Sequence, residues 1–490
     1  MTSITITKGA VDTQLYLKML NRHGLIAGAT GTGKTVTLKV ITEKLSQQGI
    51  PVFLADIKGD LSGLAKAGQW TPKMEERYKL LGITDPFEPQ AFPVRLWDVF
   101  GQAGHPVRAT IEGMGSLLLA RLLDLNETQT GILAIVFKLA KEKNWPLIDL
   151  KDLQSLLKEV YDHASEYSAQ YGNISKQSVG AIQRSLLVLE QEGADQFFGE
   201  PALDLQDFMQ LDSSGRGYIN ILSATRLFNS PKLYSTFLIW MLSRLFETLP
   251  EVGDLEKPKF VFFFDEAHLL FNDASKLFLE KVEQVVRLIR SKGVGIYFIT
   301  QNPQDLPESV LAQLGNRVQH ALRAYTPKEM KAIKVAAQSF RPNPEFDTET
   351  VLTELGTGEA LVSFLNEKGQ PSVVERSYIL SPQSSFDLLN ESEQLALITS
   401  SPFHQKYAVR VDNESAYEKL TEKSAREEKE KEREEEEKTR VAEEKASQKR
   451  SPGRPRKSSL EKAKDSFISS LFRTIAREVA KLIMGSFKRK

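Results

Sequence analysis

Leu25-Ile26-Ala27-Gly28-Ala29-Thr30-Gly31-Thr32-Gly33-Lys34-Thr35 decides how this chain folds. Three apolar residues run into a glycine-rich turn that fits GxxxxGK[ST] in full. Leu25–Ala27 reads as a short buried strand, Val36–Gln47 as a helix and Pro51–Ala55 as the next strand. Strand, helix, strand at this spacing is a βαβ unit, which implies a parallel sheet. The turn suits a phosphate. Gly28, Gly31 and Gly33 let the backbone N–H groups of Ala29, Thr30 and Thr32 turn inward around phosphate oxygens. The following helix points its positive dipole end at the same place. Lys34 is expected to reach the β- and γ-phosphates of ATP, and the Thr35 hydroxyl to ligate Mg²⁺. A purely structural glycine turn would not need Lys-Thr at the start of a helix.

A second segment completes the pattern. Lys259–Phe264 reads as a buried strand, Ala274–Arg290 as a helix and Gly295–Thr300 as another strand. The apolar run ends in Asp265-Glu266, which places two carboxylates at the C-terminal edge of the sheet, where ligands of open α/β sheets sit. Asp265 is expected to hold the Mg²⁺ shell, and Glu266 to polarise the attacking water as general base. That glutamate separates the chain from simple nucleotide switches. Gln301 is the leading candidate for sensing the γ-phosphate, with Thr300 second; the plainer alternative is a strand-terminal turn. Asp56 either supports the metal, a water or a coupling element, or simply starts a turn. His268, two residues after Glu266, is read as either supporting the site from behind or packing.

The 490 residues suffice for about two to four domains. With 64 basic and 64 acidic residues, net charge says nothing about partners. The absence of cysteine excludes disulfides, thiolate metal sites and a cysteine nucleophile. The six histidines show no metal-ligand spacing. The N-terminal residues lack the pattern of a signal peptide, and Phe260–Phe264 is too short to span a bilayer, so a cytoplasmic location is expected. Gly115–Leu125, Gln129–Lys141, Leu150–Ala164, Ser178–Gln191 and Lys232–Thr248 carry apolar residues at helical spacing. The expected organisation is an ATPase core from residues 1–100 and 257–400, with a helical insertion at 101–256.

These residues together resemble the HerA/FtsK superfamily of P-loop translocases, and most nearly its bacterial HerA-like helicase family. The resemblance is carried by AGATGTGKT at 27–35, ADIKGDLSGLA at 55–65, GHPVRATIEGMGSLLLARLLDLNETQ at 104–129, FFFDEAHLLF at 262–271 and ITQNPQDLPESVLAQLGNRVQHALRAYTP at 299–327. It covers roughly residues 5–385. It implies an α/β RecA-like ASCE P-loop fold with a parallel central sheet, and a homo-oligomeric ring, expected to be a hexamer, that acts on DNA. It also implies an arginine supplied by the neighbouring subunit. Arg22 is the first candidate, then Arg323, then Arg317; each alone could equally be a surface ion-pair residue. HerA-type pumps begin with a β-barrel domain, and reaching the phosphate loop by residue 28 leads us to expect that barrel to be absent.

Beyond residue 413 the composition changes. Residues 413–446 are built almost wholly from Glu, Lys, Arg and Ala, with no apolar heptad seam to favour a coiled coil. A charged helix held by i,i+4 pairs, or disorder, is expected. Residues 447–460 form a basic linker whose KRSPGRPRK resembles an AT-hook. Arg454, with Arg456 and Lys457 beside it, suits a narrow A·T minor groove, although the second arginine before the glycine is missing. Residues 461–490 read as a basic amphipathic helix. From Ser447 onward there are thirteen Lys and Arg against three Asp and Glu. Such charge serves nucleic acid, a membrane or protein partner, or a plain solvated tail. The leading expectation is an ATP-hydrolysing DNA motor; the rival is an assembly ATPase working at a membrane or protein complex without DNA.

Overall fold

The main strands of the computed structural model are β1 (Gly24–Ala27), β2 (Val52–Asp56), β3 (Val94–Asp98), β4 (Ile219–Ser223), β5 (Phe260–Phe264), β6 (Val294–Thr300), β7 (Asn316–His320), β8 (Glu359–Ser363) and β9 (Glu375–Ile379). The structure describes residues 2–272, 276–324 and 326–448. The chain divides into a unit of residues 1–421 and a second unit from Glu422 onward.

In the first unit the order across the sheet is Thr7–Gly9, β9, β8, β7, β1, β6, β5, β2, β4, β3, His105–Pro106. From β7 to His105–Pro106 every neighbouring pair is parallel. The remaining pairs at the β9 end are antiparallel. One strand, β6, therefore separates the phosphate-loop strand β1 from the acidic strand β5, which is the strand order of a RecA-like ASCE ATPase.

A parallel sheet is covered on both faces, so its strands read as continuous apolar runs rather than alternating ones. In β5, Phe260, Phe262 and Phe264 join one core cluster while Val261 and Phe263 join another. Phe262 stacks on Phe53 with ring centroids 4.5 Å apart, and Phe264 stacks on Phe298 at 5.2 Å. The first cluster is roofed by helices Ile111–Leu122, Glu127–Lys143, Leu150–Asp162, Lys176–Gln191, Pro231–Thr248 and Lys276–Ile289. The other face is covered by helix α1 (Lys34–Gln47), whose Leu38, Ile41 and Leu45 are buried. Side-chain oxygens begin several of the roofing helices: Asn126, Asp149 and Ser175 each accept N–H bonds from the first turn.

The segment between β3 and β5 is not wholly helical. Ile219–Ser223 enters the sheet between β2 and β3 as β4. Only three of its five residues, Ile219, Ile221 and Leu222, are apolar, too few to show a period of their own, so this strand is masked among longer helices in the sequence.

Residues 416–448 form one helix, Ala416–Gln448. Within its part beyond residue 421, Glu422–Arg426, Lys423–Glu427 and Glu434–Lys438 pair at i,i+4. Arg454, Arg456 and Lys457, the AT-hook-like stretch and residues 461–490 lie outside the described residues. Among the described residues no helix is long and apolar enough to cross a membrane.

Candidate active site

Loops that follow parallel neighbouring strands emerge on one edge of the sheet. Ala27 pairs in register with Thr300, and Phe264 with Phe298. The phosphate loop, Gln301 and the Asp265-Glu266 pair are thereby brought to the same edge, with β2 delivering Asp56 beside them.

The loop itself needs its glycines. Gly28, Gly31 and Gly33 have φ of 152°, 79° and 120°. A Cβ on Gly28 would stand 2.5 Å from the His320 Cβ, and one on Gly33 3.2 Å from the Gly358 Cα. Gly31 has nothing within 4 Å of that position, so the loop is open on the outside and tight beneath. The underside is held by Gly28 N to Thr300 O at 3.3 Å, Ala29 N to Ala321 O at 2.9 Å and Gly358 N to Thr32 O at 2.9 Å. Gly33 caps α1 without a side-chain bond, which leaves first-turn N–H groups for an anion. Lys34 Nζ donates to the carbonyls of Gly28 at 2.5 Å and Ala29 at 3.0 Å. Burial lowers its pKa, helped by the Lys58 charge and opposed by Glu266 and Asp265.

On the acidic side, Tyr234 donates its hydroxyl to the Asp265 carbonyl at 2.9 Å, and Glu266 N donates to Asp265 Oδ1 at 2.9 Å. Burial pushes the Asp265 carboxyl up to about 6; Lys58 pulls it down and Glu266 pushes it further up. Glu266 is buried and has φ of 48°, a left-handed conformation that a non-glycine residue rarely adopts and that clusters at functional sites. Its Oε1 lies 3.5 Å from Lys58 Nζ, and its Oε2 is buried without a hydrogen-bond partner. His268 Nδ1 is 3.4 Å from that second oxygen, so His268 borders the site directly.

The turn after β2 bridges the two halves. Asp56 Oδ1 accepts from Gly59 N at 2.7 Å and Asp60 N at 3.1 Å, and Oδ2 accepts from Leu61 N at 3.0 Å. Its carboxyl, pushed up to about 6 by burial, is occupied by this turn. The turn presents Asp60, whose Oδ2 accepts from Thr35 Oγ1 at 3.4 Å, and Lys58, which faces Glu266. Among the described residues no three His, Cys, Asp or Glu side chains converge as a cation cage. Thr35 with Asp265 and Asp60 instead suits Mg²⁺, which takes one or two carboxylates and completes its shell with phosphate oxygens and water. The open cradle and the Asp265 carboxyl, raised by burial, fit a Mg-nucleotide.

Gln301 is exposed at the end of β6. Thr300 is engaged in its own turn, donating to Asp305 Oδ2 at 2.8 Å. The arginine candidates separate. Arg22 precedes β1 and so stands at the opposite edge of the sheet from its own phosphate loop. Its guanidinium lies near Arg290 and Asp254. Arg317 donates to the carbonyls of Leu314, Ser339 and Leu311 at 3.0, 3.0 and 3.1 Å. Arg323 donates to Thr353 O at 2.7 Å and Leu355 O at 3.4 Å, closing the end of helix Thr348–Glu354.

Sequence reasoning missed Asp60, Lys58, His320 and Arg77. The first two sit in the quoted ADIKGD run, where alternating charge after a strand was a usable signal. His320 and Arg77 had none. Arg77 reaches the carbonyls of Gly358 and Ile379, both at 2.8 Å, and so braces the turn beneath Thr32 from a distant helix.

The chain is 23% identical over 364 residues to the DNA double-strand break repair helicase HerA of Saccharolobus solfataricus, covering 72% of this chain and 63% of that protein. The protein of the same name from Sulfolobus acidocaldarius is 25% identical over 369 residues, covering 72% and 64%. The chain thus spans under two thirds of the length of these relatives. Among solved structures it is similar to the plasmid coupling protein TrwB in complex with ADP and Mg²⁺, at 14% identity and a TM-score of 0.49, over 80% of this chain and 92% of that one. VirB4 of Thermoanaerobacter pseudethanolicus aligns at 15% identity and a TM-score of 0.46, over 77% and 96%. The family described as helicase HerA-like C-terminal matches residues 3–490. With that match running along almost the whole chain and the phosphate loop and acidic pair inside it, the protein belongs to the HerA-like helicase C-terminal family.

Proposed function

We propose that this protein is a DNA-directed motor ATPase, a translocase or helicase that hydrolyses Mg-ATP in the cytoplasm as a ring of identical subunits, six in number. The observation that carries the reading is the convergence on one sheet edge of a phosphate cradle and a buried, strained glutamate beside an acidic partner. Bound ATP supplies the phosphoryl group that is transferred to water. Residues Gly28–Gly33 bind the phosphates through backbone N–H groups, Lys34 neutralises them, and Thr35 and Asp265 hold Mg²⁺. Glu266 takes the proton of the attacking water at a carboxylate oxygen, and Gln301 orients that water or the γ-phosphate. Arg22 of the neighbouring subunit completes the site, since within one chain it stands at the far edge of the sheet. Membership of the HerA-like family and kinship with proteins named as DNA repair helicases support DNA as the substrate.

The test is the ATPase rate of the full-length, assembled oligomer with and without duplex and single-stranded DNA. DNA is expected to raise turnover, and light scattering to report the hexamer. A rate indifferent to both forms of DNA would sink the motor reading in favour of an assembly ATPase.

A further inference from the structure

Lys58 and Glu266 meet across the site from turns that follow different strands, β2 and β5. The Lys58 ammonium is 3.5 Å from Glu266 Oε1, with the lysine side chain 42% exposed and the glutamate side chain 8%. A neighbouring cation offsets the cost of burying a carboxylate. Lys34 feels the Glu266 charge but directs its ammonium to the carbonyls of Gly28 and Ala29, so the direct contact with Oε1 belongs to Lys58. The backbone that carries Lys58 is fixed. Asp56 ties down the N–H groups of residues 59, 60 and 61, and Gly59, at φ 72°, would press a Cβ against Thr225 Cγ2 at 3.3 Å. The same turn engages Thr35 through Asp60. Lys58 thus reaches Glu266 from a rigid support already joined to the phosphate-loop helix. It covers one carboxylate oxygen only; Oε2 remains without a hydrogen-bond partner.

We propose that Lys58 is the positioning residue of Glu266, its ammonium holding Oε1 so that Oε2 is aimed to take the proton from the attacking water. The inference rests on the assignment of Glu266 as base. It makes the ADIKGD turn a coupling element, since one short segment holds both the Thr35 hydroxyl and the base. Asp265, Asp60, Lys34 and His268, whose Nδ1 stands 3.4 Å from Oε2, are the other titratable groups facing this pair. Burial works against the Lys58 charge, while Asp265, Glu266 and Asp60 outweigh it and hold the ammonium protonated.

Full-length Lys58→Ala, Lys58→Arg and Glu266→Gln proteins are compared in steady-state ATP hydrolysis and in equilibrium binding of a fluorescent ATP analogue. Lys58→Ala is expected to lower kcat about 10-fold or more, a fraction of what a general base contributes. KM and analogue affinity should stay within about twofold, because the effect lies in the reacting step. Lys58→Arg should recover most of kcat, since it restores the charge on the same support. In the Glu266→Gln background, Lys58→Ala should add no further loss, as expected of two groups that act as one unit. An unchanged kcat overturns the proposal. So does a parallel loss of ATP affinity, which would make Lys58 a nucleotide ligand, or a fully additive loss in the double variant. Wild-type turnover by Glu266→Gln would instead remove the base assignment itself, so the two failures are told apart. Thermal melts of each variant identify any loss that comes from unfolding.

Discussion

His320 Nε2 lies 2.8 Å from Thr37 Oγ1, directly beneath the phosphate loop. The other ring nitrogen, Nδ1, is 2.9 Å from the Glu359 carbonyl, which can only accept. Nδ1 therefore carries a hydrogen, and in the neutral ring Nε2 is left to accept from the Thr37 hydroxyl, which also reaches the Gly33 carbonyl at 3.3 Å. Burial holds this imidazole down at about 4.

That relationship has a pH signature. The unfolded histidine titrates near 6.5 and the folded one at about 4. As pH falls, the unfolded chain takes up the proton first. The stability from a neutral His320 is complete above 6.5 and is lost between 6.5 and 4, at up to about 1.4 kcal/mol per pH unit. Asp56 and Asp265, both held up at about 6, bind protons in the folded state and act the other way below pH 6. The difference between proteins isolates the histidine. Urea melts at pH 7 and 4.5 should show wild type losing about 2 kcal/mol more than His320→Gln. Equal losses would mean that His320 takes up its proton at the same pH folded and unfolded.

Gly28→Ala tests the cradle. The added Cβ meets the His320 Cβ at 2.5 Å at a φ that alanine disfavours, so the loop must move. Nucleotide affinity should fall about 10-fold or more, since a shift of the loop misdirects the N–H groups that bind phosphate. The same substitution at Gly31, where the space is open, should cost less. Equal affinities for both variants in a titration with labelled nucleotide would refute a close-packed loop.

Asp60→Asn tests the metal side. Loss of the carboxylate beside Thr35 should raise the Mg²⁺ concentration for half-maximal turnover about 10-fold, in line with partners that orient a metal ligand. At saturating Mg²⁺, kcat should largely recover. A Mg²⁺ dependence identical to wild type would place Asp60 outside the metal's surroundings.

Arg317 and Arg22 should separate cleanly. Arg317→Ala leaves three carbonyls without their donor and is expected to cost about 2–3 kcal/mol in chemical denaturation. Arg22→Ala should leave stability nearly unchanged and lower turnover. Mixing Arg22→Ala with Lys34→Ala subunits should restore some activity, because each interface can then combine one intact loop with one intact arginine. No recovery on mixing would argue against a role in trans.

The residues proposed to hold phosphate, and the acidic pair, are short-range features and were legible in the sequence; Asp60, which stands beside Thr35, was not. Gly28–Thr35 is contiguous, and backbone geometry alone explains why glycine, lysine and threonine stand there. Asp265-Glu266 is a pair of neighbours at the end of an apolar run, and five consecutive aromatic or branched residues announce a strand buried on both faces. The roofing helices were legible for the same reason, since a 3.6-residue period needs only local sequence. Residues 219–223 carried no such period, and β4 appears only when β2 and β3 flank it.

Tertiary structure decided what each charged side chain faces. In sequence Asp56 and Asp60 are equivalent acids near one turn; in space Asp56 is consumed by three N–H groups and Asp60 reaches Thr35. Arg317 and Arg22 both looked available until the carbonyls of Leu314, Ser339 and Leu311 enclosed the first and the strand direction carried the second to the far edge. Lys58 and Glu266 are 208 residues apart, and His320 and Thr37 are 283 apart. Sequence by itself determined that a phosphate loop and an acidic strand exist, because those are local chemistries. Only the parallel order β1, β6, β5, β2 decided which lysine, aspartate and histidine stand beside them, because register between distant strands, not spacing along the chain, sets those distances.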